Sequence, residues 1–201
     1  MAQVLVIAAH PQLENSHATR SLMDAARRLD PARVQVRDLY ALYPDDCIDA
    51  AAEQALLLQA QLVVWLHPVH WYAMPPMLKL WLDEVFAFGW AYGPGGRALA
   101  GKDLWLAAST GGPQESYRPD GYNRYFFDAF LHPSEQTAAL VGMRWLPPLV
   151  LHGAHSASER ALQQHADLFV QRLRTWPHWP EIETLAPSID CAVPADARPE
   201  I

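Results

Sequence analysis

The sequence predicts an α/β domain in which a parallel sheet carries helices on both faces. Three observations predict it. Mainly apolar runs recur at residues 3–9, 62–66 and 103–109, the second of them β-branched, as strands covered on both faces require. Segments with helical caps and periodicity alternate with these runs about every thirty residues, the rhythm of βαβ units. Each run also ends in residues that interrupt a ladder: His10-Pro11, His67-Pro68 and Thr110-Gly111-Gly112.

Taken in order, residues 3–9 form the first strand, and Asn15-Ser16-His17 offer caps for a helix running to about residue 29. Asp30-Pro31 breaks that helix, residues 33–37 alternate as a short second strand, and 38–49 read as loop before a helix at 50–60. The third strand, 62–66, is stopped by His67-Pro68, because proline offers no N–H and forces the residue before it to extend. Trp71 and Tyr72 then lie on a loop, and Pro75 and Pro76 suit the first turn of a helix at 75–86. Gly93-Pro94-Gly95-Gly96 turns the chain toward a fourth strand at 103–109, followed by a loop at 117–123. Apolar faces at 125–131 and 134–142 are helical or irregular. Residues 145–151 form a fifth strand, which Pro147-Pro148 confines to an edge. A final helix spans 156–174, with Ser156 as cap and Glu159 completing a capping box. Residues 177–201 are proline-rich, acidic and aperiodic, and are expected to form a poorly ordered tail on a domain of residues 1–176. Five strands suggest a flavodoxin-like three-layer sandwich with a parallel sheet in the order 2-1-3-4-5. That order opens a ligand crevice beyond the ends of strands one, three and four.

Composition narrows the function. The 201 residues are 51% hydrophobic and 18% charged, enough for a sizeable core without staples. No apolar run approaches the ~20 residues that span a bilayer, and MAQVLVIAAH lacks the basic start of a signal peptide. Cys47 and Cys191 are far apart and outside any metal spacing, which points to a reducing, cytoplasmic compartment. A net charge of −7 argues against nucleic acid as a partner. Neither a G-x-G-x-x-G nor a P-loop occurs. The pairs His67/His70 and His152/His155 lack acidic or cysteine partners, so no metal site is expected. Ser109, Ser116 and Ser156 lack the setting of a hydrolase nucleophile. The first strand ends in histidine where a phosphoacceptor receiver needs carboxylates.

The unusual residues gather at the three strand ends that form the crevice. After the first strand, HPQLENSHA leads into a helix N-terminus, where Ser16, His17 and the amides through Ala18 suit a phosphate; a plain helix cap is the alternative. After the third, Pro68-Val69-His70-Trp71-Tyr72 offers flat rings and loop amides to a heterocycle, or else two core aromatics beneath a loop. After the fourth, Ser109-Thr110-Gly111-Gly112 lets backbone approach a ligand closely, although a Gly-Gly turn alone says little. Their coincidence points to bound flavin mononucleotide, FMN rather than FAD.

The stretches AHP…NSHA, LYPDDCIDAAAEQ, HPVHWYAMPPMLKLWLDEVFAFGWAYGPGG, STGG and WLPPLVLHG resemble the NAD(P)H:quinone oxidoreductases of the flavodoxin-like superfamily. Among these they are most similar to ancillary subunits of bacterial glutathione-gated potassium-efflux systems. The resemblance covers about residues 4–176. It implies tightly held FMN, a homodimer with sites at the interface, and ping-pong transfer of a hydride from NAD(P)H and then two electrons to a quinone. It implies phosphate contacts at His10 and Ser16–Ala18, and ring contacts at residues 69–72 and 109–112. Tyr117, five residues after Gly112, stands where relatives place a tyrosine that stabilises charge on the reduced flavin; a mobile loop aromatic is the alternative. Those relatives carry a histidine six residues further on, where this chain has Asn123, which cannot shuttle a proton near neutral pH. The resemblance leaves two roles open: an FMN enzyme, or a module that docks on a potassium/proton antiporter at the inner face of the membrane. A one-electron carrier is disfavoured because the loop after strand one lacks a Ser/Thr-Gly-rich phosphate cradle. Nothing in the sequence selects NADH over NADPH.

Overall fold

A computed structural model of the chain describes residues 3–185. Strands β1 (Val4–Ala8), β2 (Val34–Asp38), β3 (Leu62–Pro68), β4 (Asp103–Ser109), β5 (Arg144–Trp145) and β6 (Leu149–Leu151) form one sheet. Every pairing is parallel, in the order β2-β1-β3-β4-β5, with β6 also on β4. This is the flavodoxin-like order that the sequence predicts.

The helices are α1 (Ala18–Arg27), α2 (Leu39–Leu42), α3 (Ala50–Gln59), α4 (Pro76–Val85), α5 (His132–Leu140) and α6 (Glu159–Thr175). Alternation along the central strands divides the core. Leu5, Ile7, Val63, Trp65, Leu104 and Leu106 pack toward α3, α4 and α5. Val4, Val6, Leu62, Val64, Trp105 and Ala107 pack toward α1 and α6. Strands covered on both faces have no polar side to show, which is why β1, β3 and β4 are buried throughout.

Two buried polar clusters lock the layers. Glu53 on α3 accepts from Arg37 of β2, from the Tyr43 phenol at 2.6 Å and from the Trp81 indole of α4 at 3.1 Å. Asp103 accepts both a bidentate Arg144 and the Trp176 indole, tying the start of β4 to the end of α6.

The structure differs from the sequence expectations at five places. Within the expected loop 38–49, Leu39–Leu42 is a short helix whose Leu39 is fully buried and draws the chain onto the core. β3 does not stop at residue 66 but runs through His67 and Pro68. The Val69 amide donates to Ser109, so Pro68, one residue earlier, turns its nitrogen toward the side where β1 has already ended. The expected fifth strand is two pieces, because Pro147-Pro148 cannot continue a ladder; the Trp105 indole takes up the Pro147 carbonyl in the gap. The last helix is capped by Ser158, whose hydroxyl accepts from the Ala161 amide, while Ser156 donates to Gly153 one turn earlier. In the expected tail, Trp179 is buried against Trp105 and Glu181 pairs with Arg172, so residues 177–185 pack on the domain. Residues 186–201 lie outside the described residues.

Candidate functional site

A cavity of about 590 Å³ opens at the carboxyl ends of β1, β3 and β4. That volume is typical of sites for small molecules and cofactors. Four loops line it.

The first follows β1. His10, Pro11, Gln12, Asn15, Ser16, His17 and Ala18 form one wall. Ser16 is the working cap of α1: its hydroxyl accepts from the Thr19 amide at 3.1 Å. The amides of His17 and Ala18 find no protein acceptor among the described residues, so the helix start presents free donors to the cavity. The His10 Nδ1 accepts from the Gln12 amide at 3.1 Å, which leaves Nε2 as the atom that can carry the ring proton. Burial, and the neighbouring His70 in edge contact at 6.0 Å, hold His10 below the usual histidine range.

The second wall is the turn after β3, with Pro68, Val69, His70 and Trp71. His70 and Ala73 exchange both backbone hydrogen bonds, at 3.0 and 3.1 Å, and close a two-residue turn. Trp71 and Tyr72 occupy it with φ of 49° and 64°, a left-handed conformation costly for bulky side chains. Trp71 is 93% exposed at the cavity mouth. Tyr72 instead leans outward, stacked on Phe130 at 5.0 Å with its phenol on Asn123.

Ser109, Thr110 and Gly111 supply the third wall. The amides of Gly111 and Gly112 have no protein acceptor among the described residues. A Cβ at Gly111 would sit 3.0 Å from the His155 ring, so the close approach of that ring fits a residue without a side chain.

The fourth wall, Ala154 and His155 after β6, is absent from the sequence expectations. The Ala154 amide donates to Thr110 at 2.8 Å and the Gly153 amide to Gly112 at 2.9 Å, which folds this loop over the end of β4. The His152/His155 spacing was its local signal, but only the return of β6 alongside β4 brings His155 to the cavity.

Eleven of the expected residues therefore meet in one cavity: His10, Ser16, His17, Ala18, Pro68, Val69, His70, Trp71, Ser109, Thr110 and Gly111. Tyr72, Gly112 and Tyr117 do not line it. Tyr117 is buried, in ring contact with Phe127 at 5.2 Å and His152 at 5.3 Å. Burial raises the phenol above its ordinary range, so it stays protonated. Asn123 is buried as well, and its amide donates to the Ser116 hydroxyl at 2.9 Å.

Four histidines and no Lys, Arg, Asp or Glu stand among the cavity's residues, with a helix N-terminus, free loop amides and aromatic edges. Such a lining suits a ligand with an anionic end and a flat polar heterocycle. Residues 2–173 match a family model described as having the flavodoxin-like fold. The chain belongs to this flavodoxin-like family.

Among its relatives, the glutathione-regulated potassium-efflux system ancillary protein KefF of Citrobacter koseri is 45% identical over 173 residues, covering 86% of this chain and 96% of that protein. Among solved structures, a protein described as a thermophilic tryptophan halogenase from Streptomycin violaceusniger superposes with a TM-score of 0.80 at 38% identity, over 85% of this chain and 97% of that one. General stress protein 14 of Treponema denticola, solved in complex with FMN, gives 0.77 at 38% identity over 87% and 97%. An NADPH-quinone reductase from P. pentosaceus gives 0.76 at 27% identity over 85% and 97%. No helix among the described residues is long and apolar enough to cross a membrane.

Proposed function

We propose that the chain is an FMN-dependent NAD(P)H:quinone oxidoreductase working by a two-electron, ping-pong cycle. The observation that carries the proposal is the convergence of free amides at His17, Ala18 and Gly111 on one cavity at the strand ends. The FMN complex of a 38% identical neighbour and the quinone reductase among the neighbours support it.

The residues present fit the cofactor. His10, Ser16, His17 and the first amides of α1 would hold the phosphate, with imidazole N–H groups and the helix dipole offsetting its charge. The turn at Pro68–Trp71 and the segment Ser109–Gly111 would hold the ring, with backbone donors facing its polar edge. The chemistry that bound FMN supplies is acceptance of a hydride from NAD(P)H and two-electron delivery to a quinone in alternate half-reactions. The chain's own part is positioning and electrostatics. The Gly111 amide favours negative charge at the pyrimidine edge. The Tyr117 phenol, protonated and packed beside Gly112, would stabilise charge on the reduced ring. Trp71 at the mouth limits water and offers a flat face to either substrate.

Tyr122, Tyr125 and Phe126 are all more than half exposed, and such aromatics suit an interface; we assign them to a homodimer contact. A second reading, that the protein also docks on a potassium-efflux antiporter and activates it, is favoured by the 45% identical KefF relative. This role is compatible with catalysis and would place the protein at the cytoplasmic face of the membrane.

The test is a comparison of FMN with riboflavin by fluorescence quenching on the apo-protein. A phosphate seated on α1 predicts an FMN preference of roughly a hundredfold. Equal affinities, or no binding of either, contradict the proposal.

A further inference from the structure

We propose that His152 is a positioning residue for the flavin site, fixing through the Thr110 hydroxyl the Thr110–Gly111 segment at the cavity wall. The inference rests on the FMN reading above and gives a role to a residue that does not itself line the cavity.

Hydrogen-bond valence carries the assignment. A threonine hydroxyl has one proton to give and two lone pairs to fill. Thr110 Oγ1 has two partners. The Gly112 carbonyl at 2.8 Å can only accept, so it takes the Thr110 proton. The other, His152 Nδ1 at 3.0 Å, must then donate. His152 is therefore held with its proton on Nδ1. Burial lowers its proton affinity and keeps the ring neutral, with Tyr117 as the titratable group in ring contact and Phe127 at 4.9 Å on its other side.

This valence aims the loop. With His152 donating to its oxygen, Thr110 directs its own proton at Gly112. The Gly112 carbonyl also accepts from Gly153, and the Thr110 carbonyl accepts from Ala154. All the acceptors of residues 110–112 that these bonds engage are turned toward Thr110 or the loop after β6, and the Gly111 amide is left for the ligand. Asn123 has no such role, since its amide is engaged by Tyr72 and Ser116. The imidazole bonded to the cavity-lining segment comes instead from β6's loop.

The test uses the full chain stripped of flavin and compares wild type with His152→Phe, His152→Asn, Thr110→Val, Thr110→Ser and the double variant Thr110→Val/His152→Phe. Phenylalanine keeps the ring packing and removes the donor; asparagine keeps an N–H near Nδ1. His152→Phe is expected to weaken FMN about tenfold, the scale of one lost hydrogen bond with its orienting effect. His152→Asn should recover most of this. Thr110→Ser should bind like wild type and Thr110→Val like His152→Phe. In the Thr110→Val background His152→Phe should cost nothing more, because both act through one hydroxyl. Amides that favour the reduced, anionic ring predict a further readout: a tenfold greater loss for reduced than oxidised FMN makes the midpoint potential about 30 mV more negative.

Wild-type affinity retained in His152→Phe, no recovery in His152→Asn, or additive losses in the double variant would overturn the inference. The two Thr110 variants read the same hydroxyl even if His152→Phe does not fold. A wild-type chain that takes up no FMN fails the cofactor reading itself, a result separate from any difference among the variants.

Discussion

The Tyr72 phenol donates to Asn123 Oδ1 at 3.2 Å and so joins the strained turn after β3 to the loop after β4. Asn123 passes the connection on to Ser116, whose hydroxyl donates to the Pro113 carbonyl. Asn123→Ala removes both side-chain bonds of a buried group and is expected to cost about 1–2 kcal/mol. Urea denaturation measures it; an unchanged midpoint would show that the link carries no stability.

Trp71 tests the strain directly. Its side chain is almost wholly exposed, so it contributes little packing, while its left-handed backbone costs about 1–2 kcal/mol. Asparagine tolerates that conformation. Trp71→Asn should therefore keep or raise the melting temperature while reducing turnover with quinone. A clear fall in melting temperature would mean that the indole stabilises the monomer and that its exposure misleads.

Glu53 is the acceptor for three donors from three elements, and Glu53→Ala strands all of them. A loss of about 3 kcal/mol is expected, since removing one partner leaves a guanidinium beside an apolar layer. Chemical denaturation compared with wild type gives the value. A loss below about 1 kcal/mol would show that water replaces the carboxylate.

His67 makes stability depend on pH. Its ring is fully buried at the end of β3, with Nδ1 donating to the Pro68 carbonyl at 3.0 Å and Nε2 without a partner among the described residues. Burial pushes its pKa from 6.5 down to about 4. The unfolded chain thus takes up a proton that the folded chain refuses. Stability is complete above pH 6.5 and falls as the pH drops toward 4, by about 3 kcal/mol from this residue. His67→Leu should flatten the melting temperature across that window; an unaltered slope would assign the acid sensitivity to other groups.

Much of this fold was legible because the central strands are apolar runs bounded by ladder breakers. β4, flanked by Gly101 and Gly111, begins and ends where the sequence places it. The misreadings share a cause, which is that the deciding partner is distant in sequence. Pro68 is tolerated in β3 because β1 is shorter, and no local pattern around residue 68 contains that fact. Ser158 wins over Ser156 because the turn at Gly153 claims the Ser156 hydroxyl. The site shows the same division. The walls after β1, β3 and β4 announce themselves by proline, glycine and capping residues. His155 and His152 reach theirs only through β6 lying against Ala107, Ala108 and Ser109. Tyr117 keeps the neighbourhood of Gly112 that its spacing predicts, but its packing against Phe127, Phe130 and His152 is set by residues distant in sequence.

The central claim is tested most directly by the visible absorbance of the purified protein loaded with FMN, recorded anaerobically before NADPH, after NADPH, and after a following addition of quinone. The account predicts flavin bands that bleach fully with NADPH and return with quinone. A protein that stays colourless after incubation with FMN, or bands that NADPH leaves unchanged, would contradict it.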